Sequence, residues 1–168
     1  MLTCWKSAAL AALMVVAVPG LAAAKDFKAG DLTIESPWSR ATPGGAKVAA
    51  GYATIRNDGT AADTLLSVEA PAIAGRTEIH EVADVDGVMK MRHLPDGLAL
   101  PAGGSVVLKP RSYHLMFMDL KRPLADGDSF TATLRFAKAG AVEVSFQVAP
   151  VGASAPAAPD HQHHHMGH

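Results

Sequence analysis

Between Asp31 and Val148 the chain rarely runs more than about ten residues without a Gly, Pro, Asn or Asp. Each of these interrupts regular backbone for its own reason. Gly and Asn tolerate positive φ, Pro fixes φ and lacks an N–H, and Asp bonds its own backbone. A helix needs longer uninterrupted stretches with apolar residues every three or four positions, and no such period is sustained past residue 24. Short strands fit. The runs rich in Val, Ile, Thr, Leu and Phe predict nine of them, near residues 32–35, 50–56, 64–69, 77–82, 88–93, 105–109, 113–120, 129–136 and 141–148. Asn57-Asp58-Gly59, Asp84-Val85-Asp86-Gly87 and Ala139-Gly140 predict turns. The pattern predicts an all-β fold, an antiparallel sandwich or Greek-key barrel of about nine short strands. The segment from Trp38 to Gly45 reads as a loop anchored by a buried Trp38.

The first residues read differently. Lys6 precedes an apolar run over residues 8–18, Pro19-Gly20 breaks it, and Ala22-Ala23-Ala24 supplies small residues for cleavage. This predicts a secretory signal peptide over 1–24, cut near Ala24, and export to the periplasm. The run is too short to span a membrane, and Cys4 lies too far forward for a lipid-attachment cysteine. A β domain over 25–148 follows, then an Ala/Pro-rich linker and His/Met-rich tail over 149–168. Cys4 is the single cysteine of the 168 residues, so the mature chain has none. That excludes disulfides, a thiolate zinc site, thiol catalysis and a thiolate-ligated blue-copper centre. The formal charge of −1 carries no basic block, which argues against nucleic acid or an anionic membrane as partner. A monomer is the default expectation.

Within the predicted domain, His80, His93, His114, Met89, Met91, Met116 and Met118 are its only histidines and methionines, and all lie between residues 80 and 118. On a strand, alternate residues share a face, so His114, Met116 and Met118 stand together, as do Met89, Met91 and His93. Imidazoles and thioethers are soft, uncharged donors that favour Cu(I) over zinc, magnesium or calcium. Methionine is also a common gap-filler, and the strand 113–120 read alone fits core packing as well. The tail adds His161, His163, His164, His165, Met166 and His168, a density of donors that points to metal binding.

His80, Met91 eleven positions on, and the later His114-Leu115-Met116 resemble the signature of the periplasmic copper chaperone family PCu(A)C (DUF461). Trp38-Ser39-Arg40-Ala41-Thr42-Pro43, Gly51-Tyr52, the 87–92 segment and Leu100-Pro101-Ala102-Gly103-Gly104 are similar to it too. The resemblance implies a cupredoxin-like β fold, Cu(I) held by His80, Met91, His114 and Met116, and delivery to an acceptor such as the CuA centre of cytochrome c oxidase. It also suggests exchange with thiol-containing copper chaperones. Two departures from the family pattern stand out: 22 residues separate Met91 from His114, one more than usual, and Glu81 replaces a methionine common after the first histidine. Glu81 is given no metal role. Met89 and Met118 read as packing around the site rather than ligands, His93 as a surface or hydrogen-bonding residue, and Glu78, Asp84 and Asp86 as solvated acids. The imidazole-rich tail, with Asp160, suits Cu(II).

The functional expectation is therefore a copper chaperone and not an enzyme. Alternatives are a copper-sequestering or buffering protein of the envelope, a copper-dependent redox enzyme, and a bare β-sandwich for adhesion. The redox enzyme is disfavoured by the missing cysteine, by the small number of domain histidines and by the absence of a histidine at the expected mature N-terminus.

Overall fold

A computed structural model describes residues 25–155; the expected signal peptide and most of the tail lie outside the described residues. Eleven strands form, and among the described residues no helix. They are β1 (Phe27–Ala29), β2 (Leu32–Arg40), β3 (Val48–Asn57), β4 (Asp63–Glu69), β5 (Ala74–Val85) and β6 (Val88–His93), followed by β7 (Leu98–Leu100), β8 (Ser105–Leu108), β9 (His114–Leu120), β10 (Ser129–Phe136) and β11 (Gly140–Ala149). The all-β expectation is borne out. Eleven strands replace nine because β1 and β7 are three residues each, too short to leave an alternating pattern.

One hydrogen-bonded path runs β6-β5-β9-β3-β2-β11-β10-β4-β7, with β1 added to β2 and β8 to β3. It does not lie flat. Phe117 on β9 and Phe130 on β10 are four ladder steps apart, about 19 Å in a flat sheet at ~4.8 Å per strand. Their ring centroids are 5.2 Å apart, and Phe146 on β11 stacks on Phe130 at 5.3 Å. The sheet therefore curls over and closes a core between its two halves, with Ile34, Leu65, Leu115, Phe117, Leu134, Val144 and Phe146 fully buried. Each such side chain contributes about 1.5–3 kcal/mol by leaving water. Gly51 makes the closest approach possible: a methyl group there would sit 2.6 Å from Phe117 Cε2.

Two expectations are corrected. The segment read as a loop from Trp38 is strand as far as Arg40. Ser36 and Pro37 together face a single residue of β3 between the pairs Glu35–Thr54 and Trp38–Tyr52. That bulge absorbs the residue without an N–H, and Ser36 takes a positive φ of 47° to make it. Beyond the bulge β2 changes its outer neighbour, from β1 to β11. The β2–β11 pairing is parallel, so the sheet is mixed rather than purely antiparallel. Trp38 is buried as expected and lies 4.6 Å from the Tyr52 ring.

Side-chain bonds tie distant turns. The buried Asp63 carboxylate accepts the N–H groups of Thr64 at 2.7 Å and of Lys138 and Ala139 at 2.9 Å each, joining the start of β4 to the β10–β11 turn. Burial works to raise its pKa, but the three N–H donors and the Lys138 charge outweigh it and hold the carboxyl below its ordinary value. Past β11 the chain folds back, and Ala153 packs on the Trp38–Tyr52 pair.

Candidate metal centre

The site is built by β9, which is interior, lying between β3 and β5. Its Leu115 and Phe117 point into the core and are fully buried, which fixes His114, Met116 and Met118 on the opposite face. Residues directly opposite across a ladder share a face. His114 faces His80 on β5, and His80 faces His93 on β6, so three histidines form one row across three strands. Ring centroids are 5.7 Å apart for both His80–His114 and His80–His93. Met116 lies opposite Glu78 on one side of this row, and Met91 opposite Val82 on the other.

Met91, His114 and Met116 line a common cleft of about 350 Å³ together with Met89, Val82, Ala50, Tyr52, Pro110, Arg40 and Arg111. His80 is not part of that lining; it stands beside His114 in the histidine row. The two halves differ in support. His114 is 6% exposed, whereas Met91 is 56% exposed on β6, an edge strand whose residues are all exposed. The β5–β6 hairpin thus reaches past the core, closed by Asp86 and Gly87 at positive φ and by the Gly87 N–H donated to Asp84 Oδ1 at 2.7 Å.

Hydrogen bonding decides which ring nitrogens are free. His114 Nδ1 is 2.9 Å from the Ser112 carbonyl, which can only accept, so Nδ1 carries the proton and Nε2 the lone pair. Burial pushes the His114 pKa down, the neighbouring His80 adds to this, and the Ser112 bond only partly opposes it. The imidazole therefore stays neutral below the usual histidine range. His80 Nε2 lies 2.7 Å from Glu78 Oε2, so Nε2–H donates to the carboxylate. Its other nitrogen, Nδ1, is buried and has no partner among the described residues. A buried nitrogen left without a bond is costly in a folded chain and is what a bound metal would satisfy. A carboxylate holding the far side of an imidazole is also how metal-binding histidines are commonly oriented.

Glu78 is thereby corrected from a solvated acid. Its side chain is 20% exposed and binds both His80 and Arg76, the latter at 2.7 Å. The His80 bond, ahead of the Arg76 charge, holds its pKa below the usual carboxylate value. Sequence parity held the signal, because Glu78 is two residues before His80 and must share its face. Arg40 carried no such signal. Its Nε donates to the Ala153 carbonyl at 2.6 Å rather than to a carboxylate.

The other residues fall as follows. Met89 is exposed at the cleft rather than packed, and Met118 sits between Val48 and Arg76, away from it. His93 is exposed on the edge strand. Glu81 pairs with Arg92 at 2.6 Å, on the face opposite the histidines. Asp84 caps its hairpin turn, in keeping with the sequence reading. Among the described residues no group of three or more His, Cys, Asp or Glu is arranged to hold a metal. The tail residues His161, His163, His164, His165, Met166 and His168 lie outside the described residues.

The family model described as "Putative lipoprotein LpqE-like" matches residues 32–148. The chain belongs to the LpqE-like family. Its resemblance to PCu(A)C is borne out by the solved structures it is similar to. These include the apo PCuAC domain from PmoF1, with TM-score 0.64, 29% identity, and coverage of 75% of this chain and 99% of that one. The copper-bound PCuAC domain from PmoF2 matches with TM-score 0.64, 25% identity, and coverage of 75% and 98%. CuI-DR1885 from Deinococcus radiodurans matches with TM-score 0.58, 25% identity, and coverage of 77% and 83%. A relative from Leifsonia xyli subsp. xyli, named "Putative lipoprotein Lxx21020", is 27% identical over 133 residues, 79% of this chain and 78% of its own. The cupredoxin-like fold of the PCuAC domains is the fold of this LpqE-like chain.

Proposed function

We propose that this LpqE-like chain is a copper carrier of the cell envelope that holds Cu(I) through His80, Met91, His114 and Met116. The observation that carries the reading is the pair of cross-strand histidines, His114 with its Nδ1 committed to the Ser112 carbonyl and His80 with a buried Nδ1 that has no partner among the described residues, beside two methionines on the same face. Four neutral donors suit a soft monovalent ion and bury no ligand charge. The copper-bound and CuI titles among the similar structures agree with this cargo. The chain's part is to bind and release the ion, which calls for no catalytic group. Export follows from the signal peptide expected over 1–24 and agrees with the lipoprotein names of family and relative. The tail, through His161, His163, His164, His165, Met166 and His168, collects Cu(II). Delivery goes to a thiolate-bearing acceptor, such as the CuA subunit of cytochrome c oxidase, or exchanges with a thiol-containing copper chaperone.

The test is a competition titration of Cu(I) against a chromophoric chelator, with Met91→Leu and His114→Ala as variants. Loss of affinity in both supports the ligand set; wild-type affinity in both removes it. Cutting the chain after Pro159 and titrating Cu(II) tests the tail separately, since an unchanged stoichiometry would take the Cu(II) role away from it. Transfer to an apo CuA domain distinguishes delivery from storage.

A further inference from the structure

Two imidazoles do not by themselves select a monovalent ion. Neutral histidines bind Cu(II) and zinc well, and Cu(II) binds nitrogen donors more tightly than the other divalent first-row metals. The cleft contains a second element. Its lining includes two arginines, Arg40 and Arg111, and no carboxylate.

Neither guanidinium can lose its charge in a protein. Arg40 is half-buried and doubly fixed, its Nε donating to the Ala153 carbonyl at 2.6 Å and its guanidinium carbon 6.0 Å from the Tyr52 ring centroid. Arg111 sits at positive φ, 64°, directly before Ser112, whose carbonyl orients His114. The loop that sets the histidine therefore also carries Arg111 into the lining of the cleft. The acids nearest in the ladder are Glu78, which pairs with Arg76 and holds the far side of His80, and Asp84, which accepts the Gly87 N–H. Neither lines the cleft.

We propose that Arg40 and Arg111 are specificity-determining residues that bias this cleft against divalent ions, an inference that rests on the Cu(I) reading above. Repulsion from a fixed positive charge is proportional to the charge of the ion. If one arginine weakens binding of a monovalent ion by a factor f, it weakens a divalent ion at the same place by f squared. For a unit charge across a cleft at an effective dielectric between water and protein interior, f is roughly three to ten. Donor softness and wall charge then act together. The methionines favour Cu(I), and the arginines penalise what the histidines alone would accept. The same repulsion lowers the retention of Cu(I) itself, which favours release.

The experiment uses the full chain and its Arg40→Gln, Arg111→Gln and Arg40→Lys variants. Cu(I) affinity comes from chelator competition. Cu(II) at the core is read by paramagnetic broadening of the Leu115 and Phe117 amide signals, which flank the site, with the same signals of the chain cut after Pro159 as the reference for copper held by the tail. Each Gln variant is expected to bind Cu(I) about three- to tenfold more tightly and Cu(II) more tightly by the square of that factor, roughly ten- to a hundredfold, seen as Leu115 and Phe117 broadening at that much lower Cu(II). Arg40→Lys keeps the charge and should match the unsubstituted chain. Arg111 is exposed, so Arg111→Gln supplies the answer if Arg40→Gln loses its fold. Unchanged Cu(I) affinity and unchanged broadening in the Gln variants overturn this inference and leave the copper reading standing. Failure of the unsubstituted chain to compete for Cu(I) overturns both.

Discussion

His80 and His114 are direct cross-strand partners, and each has one ring nitrogen committed to the protein, His80 Nε2 to Glu78 and His114 Nδ1 to the Ser112 carbonyl. Their remaining nitrogens are oriented in advance. Little rotational freedom is left to lose when an ion arrives, which is the general basis of tight binding by a preformed site.

Support for the ligands is unequal, and this separates affinity from stability. Met91→Leu, on an exposed edge strand, should leave the denaturation midpoint nearly unchanged, within about 0.5 kcal/mol, while sharply weakening Cu(I) binding. His114→Ala should weaken binding and also destabilise the fold by about 1–3 kcal/mol, because it empties a buried position and orphans the Ser112 carbonyl. Urea melts alongside chelator titrations check the pair. Equal stability losses in both variants would contradict the placement of Met91.

Glu78 acts on the metal through His80. Glu78→Gln keeps the size but turns a strong acceptor into a weaker one, and should lower Cu(I) affinity by about 10–100-fold, the usual cost of losing a partner behind a ligand. The imidazole nitrogen shifts of His80, measured by NMR without metal, should report a changed tautomer balance. Unaltered shifts and unaltered affinity would make the Glu78 contact incidental.

Gly51 governs the seam where the curled sheet closes. Gly51→Ala places a methyl against the buried Phe117 ring and should cost about 1–3 kcal/mol of stability, seen as a lower urea midpoint with similar slope. A neutral result would mean that the Phe117, Phe130 and Phe146 cluster can shift aside at no expense.

How much of this was legible in the sequence depends on range. The all-β class was legible because Gly, Pro, Asn and Asp cut the chain too often for helices. The ligand face of β9 was legible because strand parity is local. The second half of strand β2 was misread as loop because a bulge is a property of two strands, and one strand's residues do not reveal it. The parallel β2–β11 pairing joins residues more than a hundred positions apart and left no local trace. Glu78 was visible on the right face, yet its partner was assigned only once the side chains were placed. Arg40 lines the cleft from the segment read as a loop, and Arg111 from just before β9, with no donor pattern of its own.

Asp63 gives a pH dependence with a definite sign. Its folded-state pKa is depressed, so its stabilising effect is complete above the unfolded value near 3.9 and is lost as pH falls through the lower folded value. Asp63→Asn should therefore be less stable than the parent at pH 7 and show a shallower loss of stability between about pH 5 and pH 2. Thermal melts across that range test it; parallel curves for the two proteins would show that the three N–H bonds to Asp63 are not what the acid breaks.

The residues of β6 are all exposed, and this bears on how such a protein can change over generations. A substitution at Met89, Met91 or His93 meets almost no folding penalty, so donors on this strand can be exchanged one at a time while the chain still folds. Leu115 and Phe117 of β9 alternate with the other donors and hold up the core, which denies that strand the same freedom. Variation in metal preference among descendants of this chain would accumulate first along the hairpin, with β9 as the inherited half.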